Sequence, residues 1–144
     1  MLRAENVCRQ VSSPEGPLAI LRDVSFEVAA RESVAIVGPS GAGKSTLLAL
    51  LAGLELPSSG RIWLAGQELT ALDEEGRARV RARHVGFVFQ SFHLVPALTA
   101  LENVMLPLEL QGRADARERA SAMLARVGLA ARAGHYPRQL SGGE

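Results

Sequence analysis

Residues 36–48 read IVGPSGAGKSTLL: an apolar run, a glycine-rich loop, one lysine, two hydroxyls, then leucines. Gly38, Gly43, Lys44 and Ser45 satisfy the pattern G-x-x-x-x-G-K-[ST], whose chemistry requires a strand before it and a helix after it. The flanks comply. "SVAIVG" (33–38) is a short apolar run ending in glycine, the pattern of a strand buried on both faces of a parallel sheet. "KSTLLALLAGL" (44–54) has helical length and composition, and "ELPSSG" (55–60) ends it.

In such a loop the glycines let the backbone turn tightly and aim successive N–H groups inward, a nest for anionic oxygens. The helix that follows adds its positive end at the same place. Lys44 is a compact charge that can reach β- and γ-phosphates, and the Ser45 hydroxyl is placed to ligate Mg²⁺. The bland alternative is a glycine-rich turn with a lysine on its rim. A dinucleotide fold is excluded, because Thr46 stands where the last glycine of G-x-G-x-x-G would fall. The loop predicts a site for a nucleoside triphosphate.

Working outward, "RAENVCRQV" (3–11) and "LRDVSFEVA" (21–29) read as strands separated by the turn-rich "SSPEGP". "RIWLAGQEL" (61–69) reads as strand, turn and short strand. "DEEGRARVRAR" (73–83) is a polar helix opening with acids, as its N-terminal dipole favours, and "HVGFVFQ" (84–90) returns to a buried strand. "SFHLVPALTALENVMLPLELQG" (91–112) is mainly helical, with Thr99 and Glu102 as a T-x-x-E capping box. Pro107 interrupts that helix or marks its end. "DARERASAMLARVGL" (115–129) is amphipathic, with Ala120, Met123, Leu124 and Val127 on one side and Gly128 as a C-terminal cap. Strands and helices alternating around buried strands make an α/β pattern.

Composition narrows the classes. The chain has 144 residues, 47% of them apolar and 22% charged, enough for a real core. A net charge of +1 offers no basic excess to track nucleic-acid phosphates. The single cysteine, Cys8, can form neither an internal disulfide nor a cysteine metal cluster. No signal-peptide pattern opens the chain, and the longest apolar run, "LLALLAGL" from Leu47, is far below the roughly 20 residues that span a bilayer. A soluble, cytosolic polypeptide is expected.

"GPSGAGKST" (38–46), then Gln90 at the end of "FVFQ", then "LSGGE" (140–144), in that order and at those separations, resemble the nucleotide-binding domain of ABC transporters. The resemblance covers the whole chain, and "RARHVGFVFQSFHLVPALTALENVMLPL" (81–108) is most similar to the branch containing LolD, MacB and YbbA. It implies an α/β P-loop NTPase of the ABC type, with an N-terminal antiparallel β subdomain, a helical subdomain and its C-terminal strands missing. Residues 1–90 would form the nucleotide-binding core and 91–144 the helical subdomain ending in the signature motif.

The resemblance also implies roles. Gly38, Ser40, Gly41, Ala42, Gly43, Lys44, Ser45 and Thr46 would wrap the phosphates of ATP, with Mg²⁺ on Ser45 and Gln90. Gln90 would approach the attacking water and sense a permease. Ser141, Gly142 and Gly143 would contact the γ-phosphate held by the other subunit of a head-to-tail pair. The apolar segment Phe92 to Leu106 would border the groove where a membrane permease docks, or else serve as simple core. The partners expected are a second ATPase subunit and that permease, which would hold the protein on the cytoplasmic face of the plasma membrane. No nucleic acid is expected.

Two departures from the family pattern stand out. No aromatic residue precedes Phe26, and the position expected to stack on adenine falls near Val11. Nor does any apolar strand ending in Asp-Glu follow the signature, so the general base is expected to be absent from the chain. "DEE" at Asp73 follows no apolar run, and His84, His93 and His135 fall in the wrong segments for the family's γ-phosphate histidine. The chain is thus read as an N-terminal part of an energy-coupling ATPase, able to bind nucleotide without turning it over. The alternatives are a guanylate-kinase-like nucleotide kinase, since "GPSGAGKST" also resembles that loop, an ABC-type ATPase of DNA repair or translation, and a non-catalytic binding fragment.

Overall fold

A computed structural model describes residues 1–14, 16–89 and 93–144. The chain divides into two compact units, Met1–Phe87 and Val88–Glu144, taken here in turn.

The first unit is built on a four-stranded antiparallel sheet. Strands β1 (Leu2–Ser13) and β2 (Gly16–Val28) form a long hairpin, and β3 (Ser59–Leu64) and β4 (Gln67–Glu68) complete the order β2-β1-β3-β4. The two runs expected as strands form the hairpin, and each is longer than its apolar pattern. Its register breaks between Ala4 and Val7. There Asn6 and Asp23 both take φ of 49°, and the Asn6 amide nitrogen Nδ2 donates to Asp23 Oδ1 at 2.7 Å. Short polar side chains that tolerate the left-handed region make such paired bulges affordable. Gly60, at φ 94°, lets β3 approach β1 so closely that a Cβ would sit 2.4 Å from the Asn6 carbonyl oxygen.

Helix α1 (Lys44–Leu51) lays Leu47, Leu50 and Leu51 onto this sheet, the i, i+3, i+4 face of an amphipathic helix. They join Ala4, Val7, Leu21, Ile62, Leu69 and Val80 in one core. Helix α2 (Glu74–His84) starts at Asp73, whose carboxylate accepts the Gly76 N–H at 2.8 Å. Its buried Arg77 donates to the Leu72 carbonyl and to Glu74. Arg81 donates to Glu74 and, at 2.5 Å, to the Gly53 carbonyl just past the end of α1. A cation at a helix C-terminus is favourable, so α2 fixes the rear of α1.

In the second unit α3 (Ala100–Leu110) packs beside α4 (Ala116–Arg126). Ala116, Ala120 and Leu124 are the buried residues of α4, whereas Met123 and Val127 are largely exposed. The buried stripe therefore runs at i, i+4, i+8, one step round from the face the sequence suggests. Pro107 lies inside α3, which continues to Leu110. It thus neither breaks nor ends the helix. Gly128, at φ 78°, closes α4, with the Leu129 N–H donating to the Leu124 carbonyl at 2.8 Å, a Schellman-type end.

Two expectations of local structure fail. Residues 33–37 and 85–89 carry no strand assignment, and Val34, Val37, Val88 and Phe89 are exposed rather than buried. A strand is completed by its neighbour's N–H and C=O groups, and no strand among the described residues runs beside either segment.

Candidate functional site

The glycine-rich loop sits between residues 33–37 and the front of α1. Gly41 and Gly43 both take φ of 81°. At Gly43 the constraint is double, because a Cβ would meet Ile20 Cγ2 and Leu21 Cδ2 of β2 at 3.0 Å each. The hairpin therefore presses against the start of α1 at the one residue without a side chain.

Gly43 caps α1 with no side-chain hydrogen bond, and the first turn holds no acid. The amides of Lys44, Ser45 and Thr46 donate to no described residue, while the Leu47 N–H is the first to find a helix carbonyl, Gly43 O at 2.8 Å. Unmet amides at a helix N-terminus are an anion site by geometry and by dipole. The Lys44 ammonium lies over the same loop. It donates to the Gly38 carbonyl at 2.9 Å and to the Pro39 carbonyl at 2.7 Å, which holds the charge at the loop's rim. The Ser45 side chain is exposed and Thr46 half-buried.

This arrangement fits a polyphosphate: three free donors, a positive helix end, an ammonium and an exposed hydroxyl within one turn. No group of three or more His, Cys, Asp or Glu among the described residues could hold a metal by itself. A metal would have to share its ligands with the phosphates, as the hydroxyl of Ser45 permits.

Val11 pairs with Leu18 across the hairpin. Leu18 is 56% exposed. An aliphatic pair thus stands in the hairpin where the family pattern has an aromatic residue. Gln90 and Phe92 lie outside the described residues. Of the other histidines, His84 ends α2 and His93 stacks near Phe89 at 4.5 Å.

In the second unit the Ser141–Glu144 turn is closed by its own residues. The Glu144 N–H donates to the Ser141 carbonyl at 3.1 Å, and the Ser141 N–H donates to Glu144 Oε2 at 2.9 Å. The amides of Gly142 and Gly143 donate to no described residue. Arg132 Nε holds the other Glu144 oxygen at 3.0 Å. Sequence reading missed Arg132 and this use of Glu144. The signal was present, since Ser141-x-x-Glu144 is the same box pattern as Thr99-x-x-Glu102.

Residues 21–144 match the family described as "ABC transporter". The chain is 51% identical to the ABC transporter ATP-binding protein YbbA of Escherichia coli (strain K12), over all of this chain and 64% of that protein. It is 54% identical to the lipoprotein-releasing system ATP-binding protein LolD of Pseudomonas fluorescens, over 95% of this chain and 63% of that one. With the macrolide export ATP-binding/permease protein MacB of Burkholderia pseudomallei it shares 48% identity, over all of this chain and 22% of that protein. The chain thus spans about 64% of the length of YbbA and LolD. In three dimensions it is similar to the dimeric ATP-binding cassette MJ0796 bound to ADP and Pi, with a TM-score of 0.92 and 38% identity. That match covers 99% of this chain and 64% of the other. This chain belongs to the ABC transporter family, and the part of that family it represents is the ATP-binding cassette.

Proposed function

We infer that the full-length protein is the ATP-binding, energy-coupling subunit of an ABC transporter of the lipoprotein-release or efflux type. The observation that carries this reading is the front of α1, where three amides that donate to no described residue and the Lys44 ammonium line one loop. Gly38, Ser40, Gly41, Ala42 and Gly43 would enclose the β-phosphate, with Lys44 exchanging its bonds to Gly38 and Pro39 for phosphate oxygens. Because the ammonium already lies at the loop, little reorganisation accompanies that exchange. Ser45, with Gln90, would ligate Mg²⁺, which when bound neutralises phosphate charge. The Thr46 hydroxyl adds a further donor, and Val11 with Leu18 offers an apolar plate to the base.

Ser141, Gly142 and Gly143 would receive the γ-phosphate of a second subunit in a head-to-tail dimer. The dimeric state of the similar cassette MJ0796 supports that pairing. Closure of the pair on ATP would drive a membrane permease, with residues 92–106 bordering its docking groove and the protein held peripherally at the cytoplasmic face of the membrane. Among the described residues no helix is long and apolar enough to cross a membrane. Hydrolysis belongs to the full-length protein, and no residue of this chain is assigned as its general base.

Calorimetric titration of the full-length protein with MgATP tests the reading. Saturable binding that the Lys44→Ala variant loses is the expected result. A Lys44→Ala protein that binds and hydrolyses ATP like the parent contradicts it.

A further inference from the structure

The signature turn carries a carboxylate where an anion is to be received. Glu144 accepts the Ser141 N–H at 2.9 Å, and hydrogen bonds from the Ser141 backbone and hydroxyl, then the charge of Arg132, hold its carboxyl below the usual range. It is therefore ionised at neutral pH. Capping through a carboxylate fixes Ser141, and it also sets a full negative charge within two residues of the Gly142 and Gly143 amides, which donate to no described residue.

That charge meets one counter-charge. Arg132, on the single turn Ala130–Arg132, places Nε 3.0 Å from Glu144 Oε1. Its Nη1 lies 3.4 Å from His135 Nε2, the strap that also supplies the His135 carbonyl to the Ala100 N–H at 2.8 Å. Arg132 is thus held on two sides, with its side chain half exposed and Glu144 one-quarter exposed.

We propose that Arg132 is a positioning and charge-neutralising residue of the signature turn: it cancels the Glu144 carboxylate, so that Glu144 can cap Ser141 without repelling the phosphate this turn receives. The proposal rests on the reading of Ser141–Gly143 as the γ-phosphate contact of a dimer. The charge that this pair contributes beside the phosphate is then zero in the parent, negative when only Arg132 is removed and positive when only Glu144 is made neutral. A glutamine still offers an oxygen to the Ser141 N–H, so Glu144→Gln changes charge with the cap retained.

The test is ATP-driven dimerisation of the full-length protein, measured by sedimentation for the parent, Arg132→Ala, Glu144→Gln and the double variant at low and high salt. A unit charge at such a range is worth about fivefold per phosphate contact, hence about 25-fold in the dimer constant of a pair in which both signature turns carry the substitution. Arg132→Ala should weaken the dimer by that factor, Glu144→Gln should strengthen it, and the double variant should return near the parent. All three differences should shrink as salt screens them. If the ion pair serves only to brace the turn, both single variants weaken the dimer and the double variant is no better. That pattern overturns the proposal while leaving the proposed function standing. A parent protein that binds no ATP and forms no ATP-dependent dimer overturns both.

Discussion

Helices α1 and α3 begin in opposite ways. At α3 every early amide has an acceptor. The Ala100 N–H donates to the His135 carbonyl, Leu101 to Ala133, Glu102 to the Thr99 hydroxyl at 3.3 Å, and Asn103 to the Thr99 carbonyl. The Glu102 carboxylate returns the favour to the Thr99 N–H at 2.7 Å. At α1 the corresponding amides of Lys44, Ser45 and Thr46 donate to nothing described, and the first turn holds no acid to satisfy the dipole. One helix start is finished by the chain for stability. The other is left open, and what α1 lacks at its front is offset at its rear, where Arg81 grips the Gly53 carbonyl and three leucines enter the core. The anion site proposed at α1 is thus a gap in hydrogen bonding held in place by ordinary packing.

The largest effect that would break this contrast is at Lys44. Its ammonium should contribute a charge-assisted bond, so Lys44→Ala should weaken MgATP binding roughly 100-fold, about 2.8 kcal/mol, by calorimetry. Affinity within twofold of the parent would contradict the placing of Lys44 at the phosphates. Next comes Gly43→Ala, which forces a side chain into φ of 81° against Ile20 and Leu21. It should destabilise the first unit by about 2 kcal/mol in urea unfolding and lower ATP affinity at the same time. A variant as stable as the parent would show that the hairpin does not set the loop.

Thr99→Ala sharpens the contrast from the other side. Loss of the cap should cost about 1 kcal/mol of unfolding free energy with no change in ATP affinity, because that helix start is not a ligand site. The smallest effect is on acidification. Bonds from the Thr99 backbone and hydroxyl lower the pKa of Glu102 from its ordinary 4.5. A carboxylate with a depressed folded value stabilises the fold fully above 4.5 and loses that contribution as pH falls through the lower value. Unfolding midpoints followed from pH 6 downward should therefore decline below 4.5 in the parent and less steeply in Glu102→Gln.

How legible these features were in the sequence depended on how local their physics is. The phosphate loop, the Thr99–Glu102 box, the acid-led start of α2 and the glycine end of α4 were readable because each is decided within about one helical turn. The runs 33–37 and 85–89 were not, because an apolar pattern records a need for burial and cannot name the neighbouring strand that would supply it. The α4 stripe was misjudged by one step for a related reason: Met123 and Leu124 are equally apolar, and only the position of α3 decides which is covered. Arg132 escaped notice because its partner lies twelve residues away across a loop. The aliphatic Val11–Leu18 pair became visible only once the hairpin register set the two side by side.

The most direct measurement is a titration of the isotopically labelled protein with MgATP, following backbone amide resonances at both helix starts. Saturable shifts at Gly41–Thr46, with Ala100–Asn103 unmoved by direct contact, are the predicted result, because every amide of the second set already has an acceptor. Absence of any shift at Gly41–Thr46, or equal shifts at both sites, would contradict the assignment of the α1 front as the phosphate cradle.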